Sequence, residues 1–376
     1  MDKKIKYRLN IKKLDQLPIE ERKRLLPVVN KYKFRANDYY LSLIDWDDPD
    51  DPIRRLVIPR TDELEEFGHL DASNEESNYA APGCQHKYRD TALLLCNEVC
   101  GSYCRFCFRK RLFQDDNHEV VYDVSQGIEY IAKTPEISNV LLTGGDPLML
   151  KTHQLEDILR PLRKIDHVGI IRLGSKIPAF NPYRILNDPE LLAVLSRYST
   201  REKRIYVMAH FNHPRELTDV AIMGLDALMK AGVMTVNQSP IINGINADPE
   251  VLAELMRKLS FIGVPPYYFF QCRPTEGNRP FDVPITRSYA VLEEAKKSIS
   301  GLAKRIRLVM SHELGKIEFV GVTSRHIYAR FHRARYSQDE GRFMVFERND
   351  QAYWLEDLVP ADEIPESVQL VCRKSA

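Results

Sequence analysis

Three cysteines within eight residues, Cys100-Gly-Ser-Tyr-Cys104-Arg-Phe-Cys107, carry the densest chemistry in the chain. Spaced four and three apart, they can be drawn together by one loop so that their thiolates face a common centre. Three thiolates are what a cubane 4Fe-4S cluster needs if its fourth iron is to stay open for a substrate-like ligand. Zinc is the rival, but a structural zinc site wants four ligands, usually as two separated pairs. The other cysteines, Cys84, Cys96, Cys272 and Cys372, form no such pair. The spacing therefore points to an iron-sulfur centre, with a zinc site or incidental thiols as the alternatives.

From Thr91 onward, short runs rich in Val, Ile, Leu and Tyr alternate with longer helical patterns. Strands are expected at 91–96, 139–143, 169–173, 204–209, 234–237 and 267–271, and helices at 126–132, 155–163, 189–197, 216–231, 250–259 and 286–298. Six such units in a row fit a partial (βα)6 barrel of the TIM type better than a doubly wound sheet. Polar residues fall at the C-terminal ends of these strands, where barrels place their chemistry: Thr143-Gly-Gly-Asp146, Gly174-Ser-Lys176, His210-Phe-Asn-His213, Gln238-Ser-Pro240 and Gln271-Cys-Arg273. Gly144 and Gly145 lack a Cβ and so allow a ligand close to the backbone; the alternative is a tight strand-to-helix turn capped by Asp146. The expected division is an N-terminal helical and loop extension (1–85, with a helix opening near Pro18 and a connecting loop at 61–83), a core (86–300) and a C-terminal β-rich extension (301–376).

With 44% apolar and 28% charged residues in 376, the chain reads as a globular protein with a sizeable core. A net charge of +1 supplies no global field for nucleic acid or membrane. No apolar h-region follows Met1, and no apolar run approaches the roughly 20 residues of a membrane span. Seven cysteines, odd in number and clustered, do not read as a disulfide framework, and thiolate ligation needs a reducing compartment. A cytoplasmic setting is expected.

Taken in order, several segments form a recognisable pattern. They are Tyr39-Tyr40-Leu-Ser-Leu-Ile-Asp45, Cys100 to Arg109, Thr143-Gly-Gly-Asp-Pro-Leu148, Arg172-Leu-Gly-Ser-Lys176, His210-Phe-Asn-His-Pro214, Asn237-Gln-Ser239 and Pro266-Tyr-Tyr-Phe-Phe-Gln-Cys272. Over about residues 35 to 330 the chain resembles the lysine 2,3-aminomutase family of radical S-adenosylmethionine (SAM) enzymes. The resemblance implies that the open iron binds the amino and carboxylate groups of SAM, and that an electron then cleaves its C–S bond to give a 5'-deoxyadenosyl radical. It implies pyridoxal 5'-phosphate (PLP) as a second cofactor, and a small amino-acid substrate whose amino group moves from the α- to the β-carbon.

By the same resemblance, Gly144, Gly145, Asp146, Ser175, His210 and Gln238 fall on the SAM side. Arg109 matches an arginine that holds the substrate α-carboxylate, a task suited to a guanidinium fork. Lys316, ending Ser311-His-Glu-Leu-Gly-Lys316, takes the place of the PLP lysine, and Lys87 and Tyr88 fall where the family contacts phosphate and ring. An electron donor such as flavodoxin or ferredoxin and a homo-oligomer complete the expectation.

The chain also departs from the family. Of the glycine-rich segment before the PLP lysine it keeps only Gly315, and Thr91 stands where an arginine is expected in the phosphate grip. Lysine-specific members follow the Gln-Cys pair with an Asp and place a second Asp before the PLP-lysine loop. Here Arg273 follows Cys272, and Val309 or Met310 stands near the second position. A cation facing a cation is unfavourable when desolvated. The substrate side chain expected at Arg273 is therefore anionic or polar, glutamate being the simplest. The clostridial type binds zinc through C-terminal cysteines, of which only Cys372 remains, so that zinc is not expected. Between 323 and 358, Arg325, Arg330, Arg333 and Arg335 interleave with aromatics, which could bind RNA. That suggests an alternative, a radical SAM enzyme without PLP that modifies RNA or protein. Alternation at period two and the absence of net basic charge favour amphipathic strands.

Overall fold

The structure, a computed structural model, describes residues 4–114 and 117–361; Cys372 lies outside the described residues. Strands β1 (Tyr7–Arg8) and β2 (Ala36–Asn37) form a small antiparallel ladder. The remaining described strands make one 12-stranded sheet in unbroken chain order. It opens with the antiparallel strands β3 (Tyr79–Ala81), β4 (Cys84–Tyr88) and β5 (Thr91–Asn97). The ladder then runs parallel through β6 (Asn139–Gly144), β7 (Ile170–Ser175), β8 (Ile205–Ala209), β9 (Met234–Ile241), β10 (Pro266–Gln271) and β11 (Arg307–His312). It closes on the antiparallel strands β12 (Gly315–Val322), β13 (His326–Ala334) and β14 (Phe343–Glu347).

Helices Ser125–Ala132, Thr152–Arg163, Pro189–Tyr198, Asp219–Lys230, Pro249–Phe261 and Ile285–Lys297 follow β5 to β10 in turn. The architecture is thus α/β, a partial (βα)6 barrel completed by β11. The sequence marks the six strands and six helices within a few residues but not β11, whose short apolar stretch Leu308-Val-Met310 follows a basic segment. Asp188, Thr218 and Asp248 start three of the helices by accepting backbone N–H groups, the usual office of an N-cap. No helix among the described residues is long and apolar enough to cross a membrane.

Side-chain alternation sorts each strand. On β6, Val140 and Leu142 are fully buried in the main core with Leu155, Leu159 and Leu162, while Leu141 on the other face stays half-buried. On β7, Ile171 and Leu173 join that core while Arg172 faces the opposite way. Each such buried aliphatic stabilises the fold by about 1.5–3 kcal/mol. The opposite face therefore carries Arg172, Gln238, Ser311 and Lys316, residues a hydrophobic core would not choose.

The sheet continues past both 85 and 300, because β4 pairs with β5 and β11 pairs in parallel with β10. The N-terminal extension packs a second core: Ile11, Leu14, Tyr40, Ile53 and Leu56 meet Phe106, Phe180, Ile242 and Phe281 from the loops beyond the strand ends. It therefore sits over the mouth of the barrel and takes part in shaping it.

Candidate active site

Cys100, Cys104 and Cys107 follow β5 on one loop, each half-buried, whereas Gly101, Ser102, Arg105 and Phe106 between them are buried. The loop is pinned from the N-terminal extension. Tyr103 N donates to the Arg35 carbonyl (2.9 Å) and Arg105 N to that of Leu56 (2.9 Å). Arg35 Nε returns to the Cys100 carbonyl at 2.7 Å, and Asn37 Nδ2 donates to the carbonyls of Gly101 (3.1 Å) and Phe180 (2.9 Å). The Arg105 guanidinium, 2% exposed, forks onto Glu63, 0% exposed, with contacts of 2.6, 3.0 and 3.1 Å. Burial first, then the Asp146 carboxylate and the neighbouring thiols, pushes Cys100 well up, and burial carries Cys104 up to about 12. Cys107 raises both Cys100 and Cys104, and Cys104 raises Cys100, so the three thiols lie near one another. Among the described residues no three His, Cys, Asp or Glu converge as a single metal ion requires; a four-iron cluster is a larger body that takes its thiolates at its corners.

Gly144 ends β6 at φ +107, and a Cβ there would strike the Asn97 carbonyl; at Gly145 one would lie 2.7 Å from Val99 N and O. The glycine pair thus lets the end of β6 close on the backbone that begins the cysteine loop, and Gly145 stays half-open. Asp146 caps the following turn, accepting from Leu148 N at 3.0 Å. Its other oxygen takes Ser175 Oγ (3.0 Å), Lys176 N (2.8 Å) and Ile177 N (3.1 Å). Burial lifts this carboxyl to about 6. Asp146 and Ser175, both expected toward SAM, therefore spend their polar atoms on each other and on the β7 turn.

His210 and Gln238 differ from that pair. His210 Nε2 is buried without a partner, its ring 5.8 Å from that of Phe106, and burial with Lys176 nearby holds the imidazole well below its usual range, hence neutral. A buried ring nitrogen without a partner is a place a ligand would complete. The half-buried Gln238 side chain makes no hydrogen bond among the described residues and stands on the open face of β9.

Two residues past Cys107, Arg109 is not a free fork. Its Nε and Nη2 hold Glu75 at 3.1 and 3.3 Å, while Nη1 donates to Thr143 Oγ1 at 2.7 Å. Arg111 Nη2 reaches Glu75 at 3.0 Å and Arg273 Nη1 reaches it at 3.1 Å. Three guanidinium groups keep the Glu75 carboxyl far below its ordinary range despite its burial. Arg273 also lies 3.9 Å from the Phe108 ring centre and 3.3 Å from Ser311 Oγ. Glu75 belongs to the stretch read from sequence as a connecting loop; a carboxylate there gave no periodic signal, and only the fold brings it to the arginines.

Lys316 Nζ lies among the rings of Phe270 (5.2 Å), Tyr268 (5.7 Å) and Tyr88 (5.8 Å), and has no hydrogen bond or ion pair among the described residues. Burial, then Arg273, Lys87, Arg172 and Arg333, lowers it well below the usual lysine range. A neutral amine is the nucleophilic form that attacks a carbonyl. Lys87 Nζ donates to the His312 carbonyl, and burial pushes it down to about 7. The Tyr88 hydroxyl is buried without a partner. The donors, the rings and the amine fit an anionic aromatic aldehyde, as the cysteine loop with His210 fits a cluster and its ligand.

The basic stretch after 323 resolves as strands. Ile327, Ala329 and Phe331 are buried on one face of β13, while Arg330 pairs with Glu318 (2.8 Å) and Arg333 with Asp90.

No family model matches the chain. It is 55% identical over 358 residues to "Putative L-lysine 2,3-aminomutase" of Aquifex aeolicus (strain VF5), covering 95% of this chain and 96% of that one. It is 37% identical over 294 residues to L-lysine 2,3-aminomutase of Clostridium subterminale, covering 77% and 69%. It is 36% identical over 295 residues to glutamate 2,3-aminomutase of Clostridioides difficile (strain 630), covering 78% and 68%.

Proposed function

The chain belongs to the lysine 2,3-aminomutase family of radical SAM enzymes, and we propose that the amino acid it isomerises carries a polar or anionic side chain, glutamate being the simplest. Relatives named for lysine and for glutamate both match, so kinship does not choose between them. The observation that carries the proposal is the state of Glu75. It is the only carboxylate bonded to Arg109 and Arg273 among the described residues, and three guanidinium groups already hold it. A substrate ammonium would meet Arg109, Arg273, Lys87 and Lys316 with no free carboxylate to receive it, an arrangement costing several kcal/mol when desolvated. The positions near the second acidic site of lysine-specific members, Val309 and Met310, are fully buried and apolar.

The family uses a 4Fe-4S cluster and SAM to generate a radical that takes a hydrogen from the β-carbon, and PLP to carry the migrating nitrogen and spread the unpaired electron. Within the proposal, Cys100, Cys104 and Cys107 hold the cluster, and the half-open Gly145, with His210 and Gln238, receives SAM. Asp146 and Ser175 position that rim. Lys316 supplies the amine that bonds PLP, while Lys87 and Tyr88 flank it. Arg109 takes the substrate α-carboxylate and Arg273 its side chain. Arg111 is separately matched by Glu119 at 2.6 and 2.9 Å, so Arg109 and Arg273 against Glu75 leave one uncompensated positive charge. One carboxylate balances it; a second must displace Glu75. An electron donor such as flavodoxin or ferredoxin, a homo-oligomer and a reducing, cytoplasmic setting belong to the same proposal, since thiolate ligation calls for such a compartment.

The test is turnover of glutamate, glutamine and lysine by anaerobically reconstituted protein, with β-amino products resolved by chromatography. Glutamate or glutamine is expected to react and lysine not. In Glu75→Gln the KM for glutamate is expected to fall about tenfold, because the internal carboxylate no longer competes, with a smaller change for glutamine. Turnover of lysine with glutamate and glutamine ignored would overturn the proposal.

A further inference from the structure

The lysine end of the barrel holds more basic side chains than the protein pairs with acids. Arg172 donates Nε to Asn139 Oδ1 at 2.8 Å and meets no carboxylate among the described residues. Lys87 donates to a carbonyl and Lys316 to nothing, as described above. Arg333 pairs with Asp90, which is 55% exposed at the rim. Lys316 and Arg333 are register partners across β12 and β13, so their side chains leave the same face side by side. Like charges opposite one another on a strand pair are destabilising, and buried ones call for a counter-ion.

Arg333 also occupies a telling place. Its Nη1 donates to Thr91 Oγ1 at 3.2 Å, although 242 residues separate them in sequence. Its guanidinium carbon lies 4.5 Å from the centre of the Tyr88 ring, against 5.5 Å for Lys87 Nζ and 5.8 Å for Lys316 Nζ. Three basic side chains thus surround one aromatic ring, and the third reaches across from the far end of the sheet. Gly315 makes that reach possible. At φ +152 it sits where a Cβ would collide with the Arg333 carbonyl, so the single glycine kept before Lys316 seats the strand that carries Arg333.

We propose that Arg333 supplies the guanidinium missing at Thr91 and, with Lys87, binds the phosphate monoester of PLP. This rests on the PLP reading above. A dianionic phosphate offers the Arg333 guanidinium two oxygens and leaves a third for the Lys87 amine.

The test compares PLP with pyridoxal, which has the same ring and aldehyde but no phosphate. Binding to cluster-reconstituted protein is followed by absorbance and by borohydride trapping. In Arg333→Ala the affinity for PLP is expected to fall on the order of 10- to 100-fold, while that for pyridoxal is unchanged. Arg333→Lys keeps most of the affinity, and Thr91→Arg added to Arg333→Ala restores it. Asp90→Asn removes the same ion pair but leaves the guanidinium, so it keeps PLP binding and controls for folding. An equal loss for PLP and pyridoxal in Arg333→Ala, or no loss for either, overturns the proposal. A parent protein that takes up neither compound and forms no adduct at Lys316 overturns the cofactor reading itself, and the role of Arg333 with it.

Discussion

The two ends of the candidate site are built on opposite plans. The cysteine end draws its three thiols from one loop, and the polar groups that hold that loop are paired inside the protein: Arg105 with Glu63, Arg35 with the Cys100 carbonyl, Asn37 with Gly101 and Phe180. The lysine end draws Lys87, Arg172, Arg273, Lys316 and Arg333 from five separate elements and leaves several of their charges without a partner. A loop meant to hold thiolates in fixed positions has to be rigid before its cofactor arrives. A pocket for a polyanion can instead carry the electrostatic strain until the anion relieves it. Glu75 lies between the two, a carboxylate of the chain's own bonded to the two arginines proposed to receive the substrate.

This contrast can be broken most sharply at the cysteines. Cys104→Ala is expected to abolish the broad iron-sulfur absorbance and iron retention after anaerobic reconstitution, while Cys96→Ala, whose thiol is buried against Thr143, retains both. Loss in both variants would mean that the thiols are not distinguished by their loop.

Next in size is the buried pair behind the loop. Glu63→Gln leaves the Arg105 guanidinium charged and uncompensated, which is expected to lower folding stability by about 3–5 kcal/mol. If the pair holds the loop in place, a melting curve will show the loss and the cluster will bleach faster. A variant that melts lower yet keeps its cluster as long as the parent would separate stability from positioning.

The smallest effect belongs to the lysine end and concerns pH. Burial pushes Lys87 down to about 7 from its ordinary 10.5, with Arg273 lowering it further and Glu75 opposing. Between those values the unfolded chain binds a proton that the folded one has released. Stability of the PLP-free protein therefore rises with pH across that window, and Lys316, also lowered, adds in the same direction. Lys87→Met is expected to flatten the rise in melting temperature between about pH 7 and 10. An unchanged slope would place the burden on Lys316 alone.

The cysteine end was legible because its information is local. Cys100, Cys104 and Cys107 need only their spacing, and the six βα units announce themselves by period and length. Gly144-Gly145 was legible as a close approach, though what approaches is the backbone of Asn97 and Val99. The sequence reading takes Arg273 as a free cation, because its partner Glu75 sits in a loop without periodicity, nearly two hundred residues away. The sequence reads the basic stretch around Arg333 as strand or RNA surface, whereas one of its arginines turns inward beside Thr91.

By itself, then, the sequence determined the barrel, the cysteine loop and the order of the strand-end motifs, since alternation and spacing are properties of neighbours along the chain. Only the tertiary structure decided which charges meet: Glu75 with Arg109, Arg111 and Arg273, and Arg333 with Tyr88, Thr91 and Lys316. The physical reason is that a Coulomb interaction depends on distance and burial in space. Closing the sheet sets both, and no pattern along the chain encodes either.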